Sequence, residues 1–318
     1  MTFLKGLYAS ILGCSIICLL SISGKLLQAQ EVELMILGTV QDAGAPQVGC
    51  LKSCCLRLQN NPDSTLKVVS LGLIDRVNQE TYLFEATPDF SSQTYLLNRY
   101  SNFGNGNFLP DGIFLTHAHI GHYTGLMYLG KETLNAAKAT VFAMPKMKNY
   151  LETNGPWSQL VTNQNIAIKP LSTNQKLSLT NKIAVIPFTV PHRDEFSETV
   201  GYKIIGPNKS ALFIPDIDKW EKWETDITDL IKEVDYAFID ATFYDAAEIN
   251  NRDISEIPHP FVIESMALFQ GLSDSQKAKV YFIHMNHTNP ALDATSAASI
   301  EIEKQGFNVA RYMQNFSL

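Results

Sequence analysis

Gly112-Ile113-Phe114-Leu115-Thr116-His117-Ala118-His119-Ile120-Gly121-His122 is the stretch that decides the fold. The apolar run at 112–115 predicts a short buried strand, and the spacing after it predicts a helix over 125–136. Three imidazoles fall within six residues at the junction. Rings at that density do not pack as a core. Imidazole is the commonest protein metal ligand, and alternating positions at a turn let two rings converge on one ion.

Other candidate ligands share this placement at the ends of apolar runs. Val190-Pro191-His192 follows a strand predicted at 183–188, Ile214-Pro215-Asp216 one at 211–214, and Ile283-His284-Met285-Asn286-His287 one at 280–283. Any one of these alone reads as a loop hydrogen-bonder. The information lies in their order: HxHxxH, then His, then Asp, then His.

Further strands are predicted at 32–37, 66–74, 81–84, 140–143, 200–205 and 234–239, with helices over 220–231, 262–268 and 290–304. Strands alternate with helices and no Pro/Ser-rich linker divides them. Residues 31–318 therefore read as one layered α/β domain. The stretch 144–175, rich in Asn and Pro, reads as irregular, either part of a wall over a site or, more simply, a surface excursion.

The 318 residues are 45% apolar and 18% charged, which excludes a disordered chain. Lys plus Arg is 25 against 32 Asp plus Glu, a formal charge of −7. A nucleic-acid partner is excluded on that balance, because counterion release needs a basic face. Residues 1–30 carry Lys5 and Lys25, no acidic residue, and an apolar run at 6–24. This is the pattern of an export signal or, at close to the ~20 residues that span a bilayer, of an N-terminal membrane anchor. The expected setting is the periplasm, or a membrane-anchored position facing outside the cytoplasm.

Cys14 and Cys18 fall in that segment, and Cys50, Cys54 and Cys55 form a tight cluster. Three thiols cannot all pair internally. The cluster reads equally as one disulfide with a spare thiol or as a structural zinc site completed by a distant histidine.

The ordered histidine and aspartate motifs resemble those of the metallo-β-lactamase superfamily, over nearly all of 31–318. The resemblance implies an αββα sandwich with metals at one edge between two sheets. It also implies that His117, His119 and His192 hold one metal, that Asp216 bridges, and that His122 and His284 hold a second. Glu85 stands where the family has a supporting Asp. The family's aspartate before the last His of the motif is Gly121 here, so the second position lacks a carboxylate; Asp194 or Glu195 are candidates to compensate. Gln41-Asp42-Ala43-Gly44-Ala45-Pro46-Gln47-Val48-Gly49-Cys50 and His284-Met285-Asn286-His287-Thr288-Asn289-Pro290 resemble the branch around coenzyme PQQ synthesis protein B and the phosphonate-pathway phosphodiesterases. That branch implies a structural zinc on the Cys cluster and His287. Its usual spacing is CxCxxC, whereas this chain has CxxxCC, which leaves Cys54 and Cys55 as alternatives.

What the resemblance implies chemically is a zinc-dependent hydrolase of an ester, lactone or phosphodiester in a small molecule. One or two active-site ions are expected beside the structural zinc, with iron or manganese as alternatives. Asp216 would orient water. Asp240, after the strand at 234–239, and His259, between Pro258 and Pro260, are candidate proton donors. The rival readings are an iron-dependent oxidative enzyme of PQQ-type cofactor biosynthesis and a non-catalytic metal-binding relative. Nothing in the pattern sets an oligomeric state.

Overall fold

Along the first strand, Leu34 and Ile36 join one apolar cluster while Met35 and Leu37 join another. A strand buried on both faces belongs to the middle of a layered structure, and the rest of the fold follows from that. The computed structural model describes residues 31–104, 108–250 and 252–318. The segment read as an export signal or anchor lies outside the described residues, among which no helix is long and apolar enough to cross a membrane.

The strands are β1 (Val32–Gly38), β2 (Ser70–Asp75), β3 (Glu80–Phe84), β4 (Gly112–Phe114), β5 (Ala139–Ala143), β6 (Ile166–Pro170) and β7 (Leu177–Ser178). They continue with β8 (Ala184–Thr189), β9 (Val200–Ile205), β10 (Ser210–Ile214), β11 (Tyr236–Asp240), β12 (Val280–Ile283), β13 (Asn308–Val309) and β14 (Asn315–Ser317). One sheet runs β14-β1-β2-β3-β4-β5-β6 and the other β13-β12-β11-β10-β9-β8-β7. Each sheet is antiparallel in one half and parallel in the other.

The sheets face each other across an aromatic core. Register places Phe84, Phe114 and Phe142 side by side on β3, β4 and β5. Their rings stack at 4.8 and 4.4 Å. Tyr202 of the opposite sheet meets Phe84 and Phe114 edge-on at 5.4 and 5.6 Å. Pairs in these geometries contribute about 0.5–1.5 kcal/mol each beyond their buried area. The Tyr202 hydroxyl donates to the carbonyl of Leu115, tying the second sheet to the chain just before the histidines. Helices cover both outer faces, through the cluster around Leu97, Leu126 and Trp157 on one side and that around Ile231, Phe269 and Ile302 on the other. This is the expected αββα sandwich.

The helices expected over 220–231 and 290–304 shorten to Ile227–Lys232 and Ala297–Lys304, preceded by the 3-10 turns Trp220–Lys222 and Pro290–Leu292, and other segments change more. The helix expected over 125–136 is a short 3-10 turn, Thr124–Leu129, followed by turns. Gly125 is wedged where a Cβ would meet the carbonyl oxygen of Thr87 at 2.2 Å, so packing rather than periodicity sets that backbone. The excursion at 144–175 instead holds helices Pro145–Thr153 and Trp157–Thr162 and the edge strand β6. Met147, Leu151, Trp157 and Leu160 bury themselves there. Helix Phe90–Ser101, whose Phe90 and Leu97 pack on the first sheet, was not foreseen.

Candidate metal centre

The site lies where strands of both sheets end. Thr116 accepts a backbone hydrogen bond from Val200 (3.2 Å), which joins the two sheets there. The Thr116 hydroxyl donates to Glu85 Oε1 (2.6 Å) and lies 2.9 Å from His117 Nδ1. That contact turns His117 Nε2 towards His119 Nδ1, 2.8 Å away. The amide of Ala118 donates to the Ser197 hydroxyl (2.8 Å), holding the loop between the two rings. Helix Ile120–Tyr123 then brings back His122, whose Nδ1 lies 3.3 Å from Glu85 Oε1.

His192 enters after β8, and Asp216 after β10. Oδ2 of Asp216 is 3.2 Å from His192 Nε2, 3.3 Å from His117 Nε2, 3.8 Å from His122 Nε2 and 3.9 Å from His119 Nδ1. One carboxylate oxygen thus faces four imidazoles. Its other oxygen is 3.2 Å from His259 Nδ1. The donor atoms of His117, His119, His192 and Asp216 lie within 4.8 Å of one another.

A second layer sits behind this one. Asp240 ends β11 and is fully buried. It accepts from the amides of Thr242 (2.9 Å) and Ile217 (3.2 Å), and its Oδ2 is 2.9 Å from His259 Nδ1. The Thr242 hydroxyl, 2.7 Å from Asp240 Oδ1, is 2.9 Å from His284 Nδ1. Asp240 therefore caps the turn and orients His259 and His284. His259 is buried beside Asp216 and does not sit on a surface loop.

Electrostatics follow from burial and neighbours. Burial and the adjacent His122 push the His117 imidazole well below its usual range. Burial acts the same way on His122, but Glu85, Asp42 and Asp216 override it and raise the ring to about 9. Burial opposes ionisation of Asp216, yet the His192 and His259 rings hold its carboxyl well below the ordinary value. The same balance holds Asp240 low, through His259 and His284.

The donor set fits metal ions. Both nitrogens of His122, both of His192, Oδ1 of Asp216 and Nε2 of His284 are buried and make no hydrogen bond. A buried polar atom left unpaired costs about 1–3 kcal/mol, so this many in one place calls for a shared partner. Neutral imidazoles around a carboxylate are suitable ligands for zinc and similar ions.

Glu85 and Asp240 lie on the Nδ1 sides of His122 and His284, whereas the carboxylates that approach the Nε2 sides are Asp216 and Asp42. Asp42 Oδ1 is 3.9 Å from His284 Nε2. Nothing in the pattern around Asp42 marks it as a ligand; it lies about eighty residues from the histidine motif and is brought in by the fold. Of the two acids expected to compensate at Gly121, Glu195 instead approaches His119 from the solvent side, at 3.6 Å.

Cys50, Cys54, Cys55 and His287 form a separate group with donor atoms within 4.8 Å of one another. All three thiols are free, and Gln47 donates its amide to Cys55 Sγ at 3.3 Å. The geometry thus brings Cys54 and Cys55 in together, and no disulfide forms among the described residues.

The family described as the beta-lactamase superfamily domain matches residues 80–285. The chain belongs to it. Within this superfamily, the chain is 23% identical to coenzyme PQQ synthesis protein B of Methylobacillus flagellatus, over 88% of this chain and 97% of that protein. Zn(2+)-bound PqqB from Methylobacterium extorquens has the same fold, with a TM-score of 0.73 at 19% identity, over 90% of this chain and 100% of that one. A diphosphatase from the PhnP family aligns with a TM-score of 0.62 at 19% identity, over 90% and 96%. The chain carries His/Asp groups of the kind typical of metallohydrolases, one of His117, His119, His192 and Asp216 and another of Asp42, His122 and His284.

Proposed function

We propose that this protein is a zinc-dependent hydrolase that cleaves an ester, lactone or phosphodiester bond in a small molecule. The observation that carries the reading is the convergence of His117, His119, His192, His122 and His284 around Asp216, where both nitrogens of His122 and of His192, Nε2 of His284 and Oδ1 of Asp216 make no hydrogen bond. His117, His119 and His192 with Asp216 hold one ion, and His122 and His284 with Asp216 hold a second. Such ions supply an ionised water nucleophile at neutral pH and polarise the scissile bond. Oδ1 of Asp216 is the group that orients the water. Asp240 accepts from His259 Nδ1 and so leaves Nε2 as the nitrogen that passes a proton to the leaving group. Cys50, Cys54, Cys55 and His287 hold a structural zinc, since four soft donors at this spacing form a closed set. Residues 1–30 direct the protein out of the cytoplasm or anchor it to the membrane.

Protein loaded with zinc and assayed against chromogenic phosphodiesters, esters and lactones should turn over at least one, and a chelator should stop it. Absence of turnover across the panel at full metal occupancy contradicts the reading. Iron rather than zinc in protein purified without added metal favours the oxidative alternative.

A further inference from the structure

Gly121 is a glycine because another residue fills its side-chain space. A Cβ built there would lie 1.6 Å from Cβ of Asp42 and 2.2 Å from its Cα. Real atoms do not approach so closely. Residue 121 sits inside a helical turn and needs no left-handed backbone, so close approach is what excludes a side chain. Two carboxylates compete for this one place: an acid at 121, growing from the histidine helix, or the acid at 42, entering from the N-terminal loop.

The Asp42 carboxylate also points at what lies beyond. Its oxygen forms a compact group with ring nitrogens of His122 and His284, all within 4.8 Å of one another. Both Nε2 atoms are buried and make no hydrogen bond. The 3.9 Å from Asp42 Oδ1 to His284 Nε2 is too long for a hydrogen bond. It is within the ~4.4 Å upper limit on the separation of two donors each ~2.0–2.2 Å from a shared ion.

The loop is fixed where it delivers this carboxylate. The Gln41 amide donates to the carbonyl of Met285 (2.8 Å), and the Met285 amide donates to that of Thr39 (2.8 Å). The Gln41 side-chain amide donates to Asp42 Oδ1, which fixes the rotamer. Further along, Cys50, Cys54 and Cys55 return to His287, two residues past Met285. Asp42 therefore hangs from a loop fastened at both ends to the segment that carries His284.

We propose that Asp42 is the carboxylate ligand of the second ion, supplied by the N-terminal loop in place of an acid at 121. This rests on the His/Asp cluster being a metal centre, and it adds a ligand that the motif does not contain.

The test counts ions and measures each affinity by chelator competition on purified full-length protein, without reference to turnover. Wild type should take two ions at the His/Asp centre and one at the Cys cluster. Asp42→Asn, nearly isosteric on a partly exposed loop, should weaken the second ion by at least roughly tenfold while the other two and the thermal midpoint of the metal-free protein hold. The exchange Asp42→Gly with Gly121→Asp removes the collision and should restore the second ion. Wild-type affinity for all three ions in Asp42→Asn overturns the proposal, as does a wild type that takes a single ion at the centre; in both cases the hydrolase reading survives. A wild type that takes no ion there overturns both.

Discussion

Nδ1 of His259 lies 2.9 Å from Oδ2 of Asp240, a carboxylate with no exposed surface. The pair sits one layer behind Asp216, and Thr242 extends it to His284. Asp240 acts here as a positioning residue, since its oxygens are taken up by two amides, a hydroxyl and a ring. Asp240→Asn is expected to reduce affinity for the second ion by roughly 10–100-fold, as loss of an orienting partner does. Chelator competition and the pH profile of turnover check this. Unchanged affinity with an unchanged profile contradicts it.

His119 is the most accessible ring of the first position, with 14% of its side chain exposed. His119→Ala should abolish turnover while the thermal midpoint of the metal-free protein moves by less than about 2 °C, because no core contact is lost. Retained turnover removes this residue from the site.

Cys50 belongs to a group that joins the N-terminal loop to the segment after β12. Cys50→Ser is expected to remove about one zinc per chain and to lower the thermal midpoint by on the order of 5 °C. Elemental analysis beside a melting curve reads both, and an unchanged pair of values rules out a structural zinc.

Asp226 caps helix Ile227–Lys232, accepting from the Thr228 amide (2.8 Å) and hydroxyl (2.7 Å). These bonds, led by that from the hydroxyl, hold its carboxyl below the usual value. A depressed folded-state pKa means stability that is present above the unfolded value and lost as pH falls through the folded one. Asp226→Ala should cost about 1 kcal/mol at neutral pH. The gap between variant and wild type should close below about pH 4, where the unfolded carboxyl protonates. A gap of the same size at pH 7 and pH 2 in denaturant titrations contradicts the share assigned to the ionised carboxylate.

The site was legible because its residues stand directly after apolar strands. His192, Asp216 and His284 each follow a run that the sequence marks as buried; β10 and β12 lie in the parallel half of their sheet, and β8, antiparallel to β9 as β10 is, runs the same way, so all three ends reach a common edge. What was hidden depended on packing. Gly125 breaks a helical pattern because Thr87 presses on it, and no periodicity registers that contact. The helix Pro145–Thr153 was masked by its polar face, although Met147 and Leu151 recur at a helical interval. Asp42 was hidden for a different reason. It stands in the motif at 41–50, but its place beside His122 and His284 depends on the hydrogen bonds of Thr39 and Gln41 to Met285, which that motif does not record.

Zinc-edge anomalous diffraction from crystals grown with zinc tests the central claim most directly. The account predicts one peak among His117, His119, His192 and Asp216, a second among Asp216, His122 and His284, and a third among Cys50, Cys54, Cys55 and His287. A map with no peak at the His/Asp cluster, and rings turned away from one another, would contradict it.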